Sequence, residues 1–185
     1  LYLVSRPKDG KFADSKVSAD RLTFFCIRDP VTTPDLQSVL FDLTNRLLAD
    51  GDRYVVDVEV KGNPGSLMIW IYIDSEKGGV GIDECASLSR EVLFHLESVS
   101  GVPQTFTLNV SSPGLDRPLQ DIRQFKANIG RMASVKWRSE GTAHSLKGRL
   151  VALDGDRYQI IDEKGGVHWF DRGESTEIKI IPVFK

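Results

Sequence analysis

Apolar residues in this chain recur at two different spacings, and the change from one to the other divides it. Leu36, Val39, Leu40, Leu43, Leu47 and Leu48 fall at helical intervals along one face. Thr33 supplies an N-cap, Pro34 the first helical position, Asp35 a charge at the positive dipole end, and Gly51 a stop. The spacing then shortens to two. Tyr54, Val56, Val58 and Val60 alternate with Val55, Asp57 and Glu59. After a Gly62-Asn63-Pro64-Gly65 turn, Leu67, Ile69, Ile71 and Ile73 alternate with Met68, Trp70 and Tyr72, which predicts an antiparallel hairpin. Asp83 can cap a second helix carrying Cys85, Leu88, Val92 and Leu96 on one face, with Gly101 and Pro103 as its stop. Thr105 to Val110 reads as a third strand. The order α-β-β-α-β predicts a three-stranded sheet with both helices on one face.

Beyond Gly130 the helical spacing disappears. Asp121 to Phe125 reads as a short helical turn, followed by strands at Met132–Trp137, Lys147–Leu153, Arg157–Asp162, Val167–Phe170 and Ile178–Val183. Turns fall at Gly141-Thr142, Asp154-Gly155-Asp156 and Lys164-Gly165-Gly166. Five short strands in so little chain predict a small closed barrel, and spacing alone does not separate an SH3-like barrel from an OB-fold. The class is therefore α+β. Residues 1–30 stand apart as an N-terminal extension, expected to be poorly ordered and given no function. An α/β domain over 31–117 and a barrel domain over 118–185 follow.

Charge separates the same two parts. Residues 31–118 hold six Lys/Arg against thirteen Asp/Glu, a balance of −7, while residues 119–185 hold twelve against nine, a balance of +3. Such asymmetry suggests two surfaces with different partners, although solvated faces would look the same. No apolar run approaches the length of a membrane span, and the longest, Leu67 to Ile73, is strand-sized. The N-terminus has no continuous apolar stretch of the secretory kind. Two cysteines, Cys26 and Cys85, cannot build a disulfide framework or a zinc site and suit a cytoplasmic protein.

Catalytic chemistry finds little to stand on. Cys85 lies early on a helix, where the dipole could activate a thiol, but it shares the apolar stripe with Leu88 and Val92, so core packing is the better account. His95, His144 and His168 are scattered, and no nucleophile has a base and a third group beside it. Gly78-Gly79-Val80-Gly81 spells the GxxG of nucleotide-clamping loops, yet it joins a strand to a helix, so a plain glycine turn explains it better. Trp137, Tyr158, Trp169 and Phe170 lie among Lys136, Arg138, Arg157 and Arg172, a mixture that can stack bases and hold phosphates. Core filling competes for the same aromatics, and alternation lets only one of Trp169 and Phe170 face inward. No enzyme activity, cofactor, metal or small-molecule substrate is expected.

The most specific stretch joins the two halves. After Asn109 and Val110 come Ser111, Ser112, Pro113, Gly114, Leu115, Asp116, Arg117 and Pro118. Pro113 and Gly114 suit a type II turn, with a positive φ at the glycine, and Pro118 holds Arg117 extended. Ser111 and Ser112 can satisfy backbone groups of the turn, while Asp116 and Arg117 read as an interdomain clamp or a partner surface, the clamp being preferred.

This stretch resembles the signature of the bacterial ribosome maturation factor RimP family, and the resemblance runs over roughly residues 31 to 185. Ser89-Arg90 in Cys85-x-x-x-Ser89-Arg90 also matches the family pattern. The resemblance implies the α-β-β-α-β domain and an SH3-like, Sm-related barrel. It implies a non-enzymatic assembly factor that binds the free, immature small ribosomal subunit and contacts a basic ribosomal protein near the decoding region. On charge and expected exposure, Asp57, Glu59, Asp83 and Glu84, with Arg90, are the candidate contacts to that protein. Lys136, Arg138, Lys147, Arg149 and Arg157 are the candidate contacts to ribosomal RNA, should RNA be a partner. A general RNA-binding module acting on transcripts is the alternative.

Overall fold

The computed structural model describes residues 2–5, 33–63, 66–77, 79–96, 102, 105–173 and 176–182. The chain forms two compact units, 1–73 with 80–112 and 74–79 with 113–185. Pro64 and Gly65 of the expected hairpin turn, Gly78, and the helix stop at Gly101 and Pro103 lie outside the described residues, as do the side chain of Thr33 and nearly all of the N-terminal extension.

The first unit contains β1 (Tyr2–Ser5), α1 (Thr33–Leu47), β2 (Arg53–Asn63), β3 (Ser66–Ser75), α2 (Ile82–Leu96) and β4 (Phe106–Ser111). The three expected strands form a sheet, and β1 joins it as a fourth in the order β1-β4-β3-β2. It pairs antiparallel with β4, Leu3 opposite Asn109, in a stretch too short for periodicity to reveal. The β3–β4 pair is parallel, Leu67 opposite Phe106, Ile69 opposite Leu108 and Ile71 opposite Val110. A parallel pair needs a crossover, and α2 supplies it. Alternation puts these six residues with Ile73 on one face, where Leu36 and Leu40 of α1 and Cys85, Leu88, Val92 and Leu96 of α2 pack in the same core.

Two local departures have physical causes. Thr44 is fully buried on α1 because its hydroxyl donates to the Leu40 carbonyl at 2.7 Å, so a polar residue sits on the apolar stripe. On β2 the alternation is broken, since Tyr54 and Val55 are both buried while Val56 and Asp57 are only half-buried.

The second unit holds α3 (Ile122–Ala127), β5 (Met132–Ser139), β6 (Thr142–Asp154), β7 (Arg157–Asp162), β8 (Val167–Asp171) and β9 (Thr176–Ile180). Asp121 caps α3, accepting from the Arg123 N–H at 2.8 Å, and the Gln124 side chain returns to the Asp121 N–H at 3.2 Å. The five strands make one antiparallel sheet ordered β8-β7-β6-β5-β9. Among the described residues no ladder between β8 and β9 closes it, and an isolated bridge pairs Gly173 with Thr176.

The long strand β6 serves both halves of the sheet. It pairs with β5 through Thr142–Arg149 and with β7 through Gly148–Asp154, with a register shift between Leu150 and Ala152. Such a bulge bends a strand and lets the sheet curve. Phe125, Ala133, Val135, Leu150, Tyr158, Ile160, Ile178 and Ile180 fill the enclosed face. Gly148 allows β6 and β7 to approach there, since a Cβ would lie 2.5 Å from both Ile160 Cγ2 and the Ile161 carbonyl oxygen. One of those contacts is backbone. Gly148→Ala is therefore expected to cost about 1–3 kcal/mol, read as a lowered urea midpoint by near-ultraviolet circular dichroism, and an unchanged midpoint refutes the close-approach account.

Candidate functional site

The expected acidic contacts do not form one patch. Asp57 and Glu59 flank the core residue Val58 on β2, so they point to the sheet face away from the helices. Asp83, Glu84 and Arg90 lie on α2, over the other face. Glu59 also pairs with Lys61 at 2.6 Å.

Asp83 is not the cap of α2. The Cys85 N–H closes the first helical bond on the Gly81 carbonyl at 3.2 Å, which makes Gly81 the N-cap and Asp83 the exposed second residue. Glu84, third in the helix, reaches back to accept from the Gly81 N–H at 2.8 Å and also pairs with the Arg53 guanidinium. Glu84 is thus committed internally, whereas Asp83 and Arg90 project into solvent. A cavity of about 310 Å³ opens beside this helix start, lined by Leu47, Leu48, Ile73 and Leu88 and by Arg53, Asp83, Glu84, Ser87 and Glu91. Sequence reasoning missed Glu91 and the cavity, because only the fold brings the end of α1 to the start of α2.

The basic candidates do converge. Lys136 and Arg138 on β5 alternate with Ala133 and Val135, and Lys147 and Arg149 on β6 flank the tightly packed Gly148, so all four face outward. Register places Lys147 across from Ser134, whose other neighbour is Lys179, and Arg149 across from Met132. Lys179 joins the face unforeseen, and its ion pair with Glu177 at 2.9 Å balances part of the charge. Arg157 stands apart at the start of β7, 3.5 Å from Asp171. Arg149 donates to the Gly130 carbonyl at 2.6 Å, a bond that orients the guanidinium without neutralising it.

The aromatics divide as alternation requires. Trp137, Tyr158 and Phe170 turn inward, with Phe170 centred 5.0 Å from Trp137 and 5.6 Å from Tyr158. Trp169 turns outward and is 42 % exposed. Burial drives the Tyr158 phenol far above its ordinary range, so it stays neutral. Cys85 is in the first core, and burial pushes its thiol up, the reverse of what a nucleophile needs. Among the described residues no group of three or more His, Cys, Asp and Glu side chains could hold a metal ion. No described helix is long and apolar enough to cross a membrane.

In the connector, Gly114 has φ +67°, the positive value its turn requires, and the Ser111 hydroxyl donates to the Ser112 carbonyl at 2.9 Å. Asp116 is exposed, Arg117 and Pro118 are half-buried, and Ser112 is exposed beside half-buried Pro113. Gly79, within the Gly78-Gly79-Val80-Gly81 stretch, also has a positive φ, +68°, in the turn before α2.

The fold and these surfaces define an α+β protein of two units, one carrying exposed acid at a helix start and the other a basic sheet face. The family model of the RimP N-terminal domain matches residues 43–116. A curated relative, the ribosome maturation factor RimP of Prosthecochloris aestuarii, is 37 % identical over 110 residues, which cover 57 % of this chain and 61 % of the relative. Over these residues the chain is similar to the RimP family. The chain spans about three fifths of the length of that curated relative.

Two outcomes test how these charges are used. Glu84→Ala removes the return bond to Gly81 and the partner of Arg53, so a loss of about 1 kcal/mol in urea unfolding is expected, against less than about 0.5 kcal/mol for Asp83→Asn. Equal losses refute the division between them. In the second unit, Asp162 accepts from His168 Nε2, the Gly166 N–H and the Lys164 N–H, each at 2.8 Å, and these bonds, led by His168, hold its carboxyl below the usual range. Asp121 is lowered likewise by the Arg123 side chain. A depressed folded-state pKa stabilises above the ordinary carboxylate value and ceases to do so as pH falls through the depressed one. The urea midpoint is therefore expected to hold down to about pH 4 and to fall below it, less steeply for Asp162→Asn. An equally steep fall in that variant removes Asp162 from the account.

Proposed function

We propose that this protein is a ribosome maturation factor that works by binding, without catalysis, to the free, immature small ribosomal subunit in the cytoplasm. The observation that carries the reading is the 37 % identity to a protein named as a ribosome maturation factor, together with the RimP N-terminal domain match. The second unit, on this reading, is an SH3-like, Sm-related barrel, and the curvature introduced by β6 supports that assignment.

The −7 balance of residues 31–118 is ill suited to a phosphate backbone, and we assign the first unit to a lysine- and arginine-rich ribosomal protein near the decoding region. Asp83, exposed and lining the cavity, is the strongest of its candidate contacts, with Arg90 two turns further along α2 and Asp57 and Glu59 on the other sheet face. Ribosomal RNA falls to the second unit, through Lys136, Arg138, Lys147 and Arg149, with Arg157 more distant. The connector from Ser111 to Pro118 sets the geometry of this binding or adds to its surface.

Sedimentation through a sucrose gradient tests the whole. Tagged protein is expected with free small subunits and absent from assembled ribosomes, while association with messenger RNA alone would favour a general RNA-binding module. Replacing Lys147 and Arg149 by alanine is expected to leave the fold intact, weaken subunit association, and flatten its salt dependence by about 0.7 per lost contact on single-stranded RNA. Unchanged association removes both residues from the interface.

A further inference from the structure

The outward face of the second sheet carries an aromatic surface that phosphate binding does not explain. On β8 the residues Val167, Trp169 and Asp171 face out, and register sets them against Ile161, Gln159 and Arg157 of β7. Ile161 in turn lies opposite Arg149 of β6. Exposed apolar side chains, Val167 at 56 % and Trp169 at 42 %, thus lie on the same face as the basic residues, two strands from Arg149. The Arg157 guanidinium sits over the Trp169 ring, 5.4 Å from its centre.

The charges around this surface are unequal in their commitments. Asp171 and Glu177 of this face pair with Arg157 and Lys179, while Asp154, across from Arg157, lies at the far end of β6 from Lys147 and Arg149. Among the described residues Lys136, Arg138, Lys147 and Arg149 make no salt bridge. A partner must therefore bring negative charge to β5 and β6 and something flat and apolar to β8. A basic or neutral protein segment meets only the second demand, and a duplex, with its bases enclosed, only the first. Single-stranded RNA meets both.

Resting on the reading of this unit as the RNA-binding one, we propose that Trp169 is a base-stacking residue. An unpaired base stacks on the indole, and the adjoining phosphates run towards Arg149 and Lys147. Arg157, held by Asp171, supports the ring and can extend the stack as a further planar cation.

Fluorescence anisotropy with a labelled, unstructured RNA of about ten nucleotides, across a salt series, separates stacking from charge. Trp169→Ala is expected to bind about 5- to 150-fold more weakly with an unchanged salt slope, because one stacked base is lost and no phosphate contact is. Trp169→Phe is expected to recover most of the affinity, and the thermal midpoints of both variants to match the parent, since the side chain lies outside the core. The Lys147→Ala and Arg149→Ala double variant should instead flatten the slope. If Trp169→Ala binds like the parent at every salt while the double variant is weakened, the stacking proposal fails and the RNA reading survives. If the parent protein binds no single-stranded RNA even at low salt, both fail. Intact RNA binding by a Trp169→Ala protein that no longer sediments with small subunits makes Trp169 a protein contact and overturns the proposal.

Discussion

Parallel pairing of β3 with β4 is the constraint on which the first unit depends. Strands joined in parallel cannot be connected by a tight turn, so the chain between them must cross a sheet face, and α2 is that crossing. Once the register sets Ile69 against Leu108 and Ile71 against Val110, seven apolar side chains of the two strands share one face. A slip of one residue would exchange them for Met68, Trp70, Tyr72, Thr107, Asn109 and Ser111, and the helices would lie on a floor whose β4 half is polar. The cavity and the position of Asp83 follow from the same choice, because the crossover begins where β3 ends. Gly81 makes that junction possible, with Glu84 returning to its N–H and Arg53 holding Glu84 from β2.

In the second unit the equivalent constraint is bending. Strand β6 must pair with different strands along its two halves, and it does so through a bulge near Val151 and a side chain reduced to hydrogen at Gly148. The bend encloses Tyr158, Phe125 and Phe170 on one side. It also turns every second residue of β5, β6 and β8 towards solvent. Inward and outward sets are thus two consequences of one alternation, which is why a neighbouring pair such as Trp169 and Phe170 divides between core and surface.

That division explains what was legible beforehand. Helix and strand periodicity foretold the two helices and the strands of both sheets other than β1, because burial on one face leaves a trace every 3.6 or every two residues. The positive φ of Gly114 was legible from turn chemistry, and the outward set on β5 and β6 from alternation. Three kinds of fact were not. The strand Tyr2–Ser5 is too short for any period to register. Asp83 looked like a cap because the usual signal is an acidic or hydroxyl residue before an apolar run, yet the helix starts from a glycine whose own N–H is met by the glutamate three residues later. The separation of Asp57 and Glu59 from Asp83 depends on which sheet face α2 covers, and composition carries no record of that.

A charge can serve a partner only to the extent that its own fold has left it unspent, and the described charges can be sorted by this rule. Glu84 holds a helix start, Asp121 caps α3 and pairs with Arg123, and Asp162 gathers three donors of the β7–β8 turn. Displacing any of these for a ligand would cost the hydrogen bonds already made, so abundance of acid in a sequence overstates the acid on offer. Lys136, Arg138 and Lys147 are exposed, and Arg149 is anchored through a neutral carbonyl that leaves its charge whole. A net balance of only +3 in the second part of the chain therefore conceals a concentrated basic face, since much of the opposing acid is engaged in turns and caps elsewhere in the unit. Placement, more than net charge, decides what such a surface can bind.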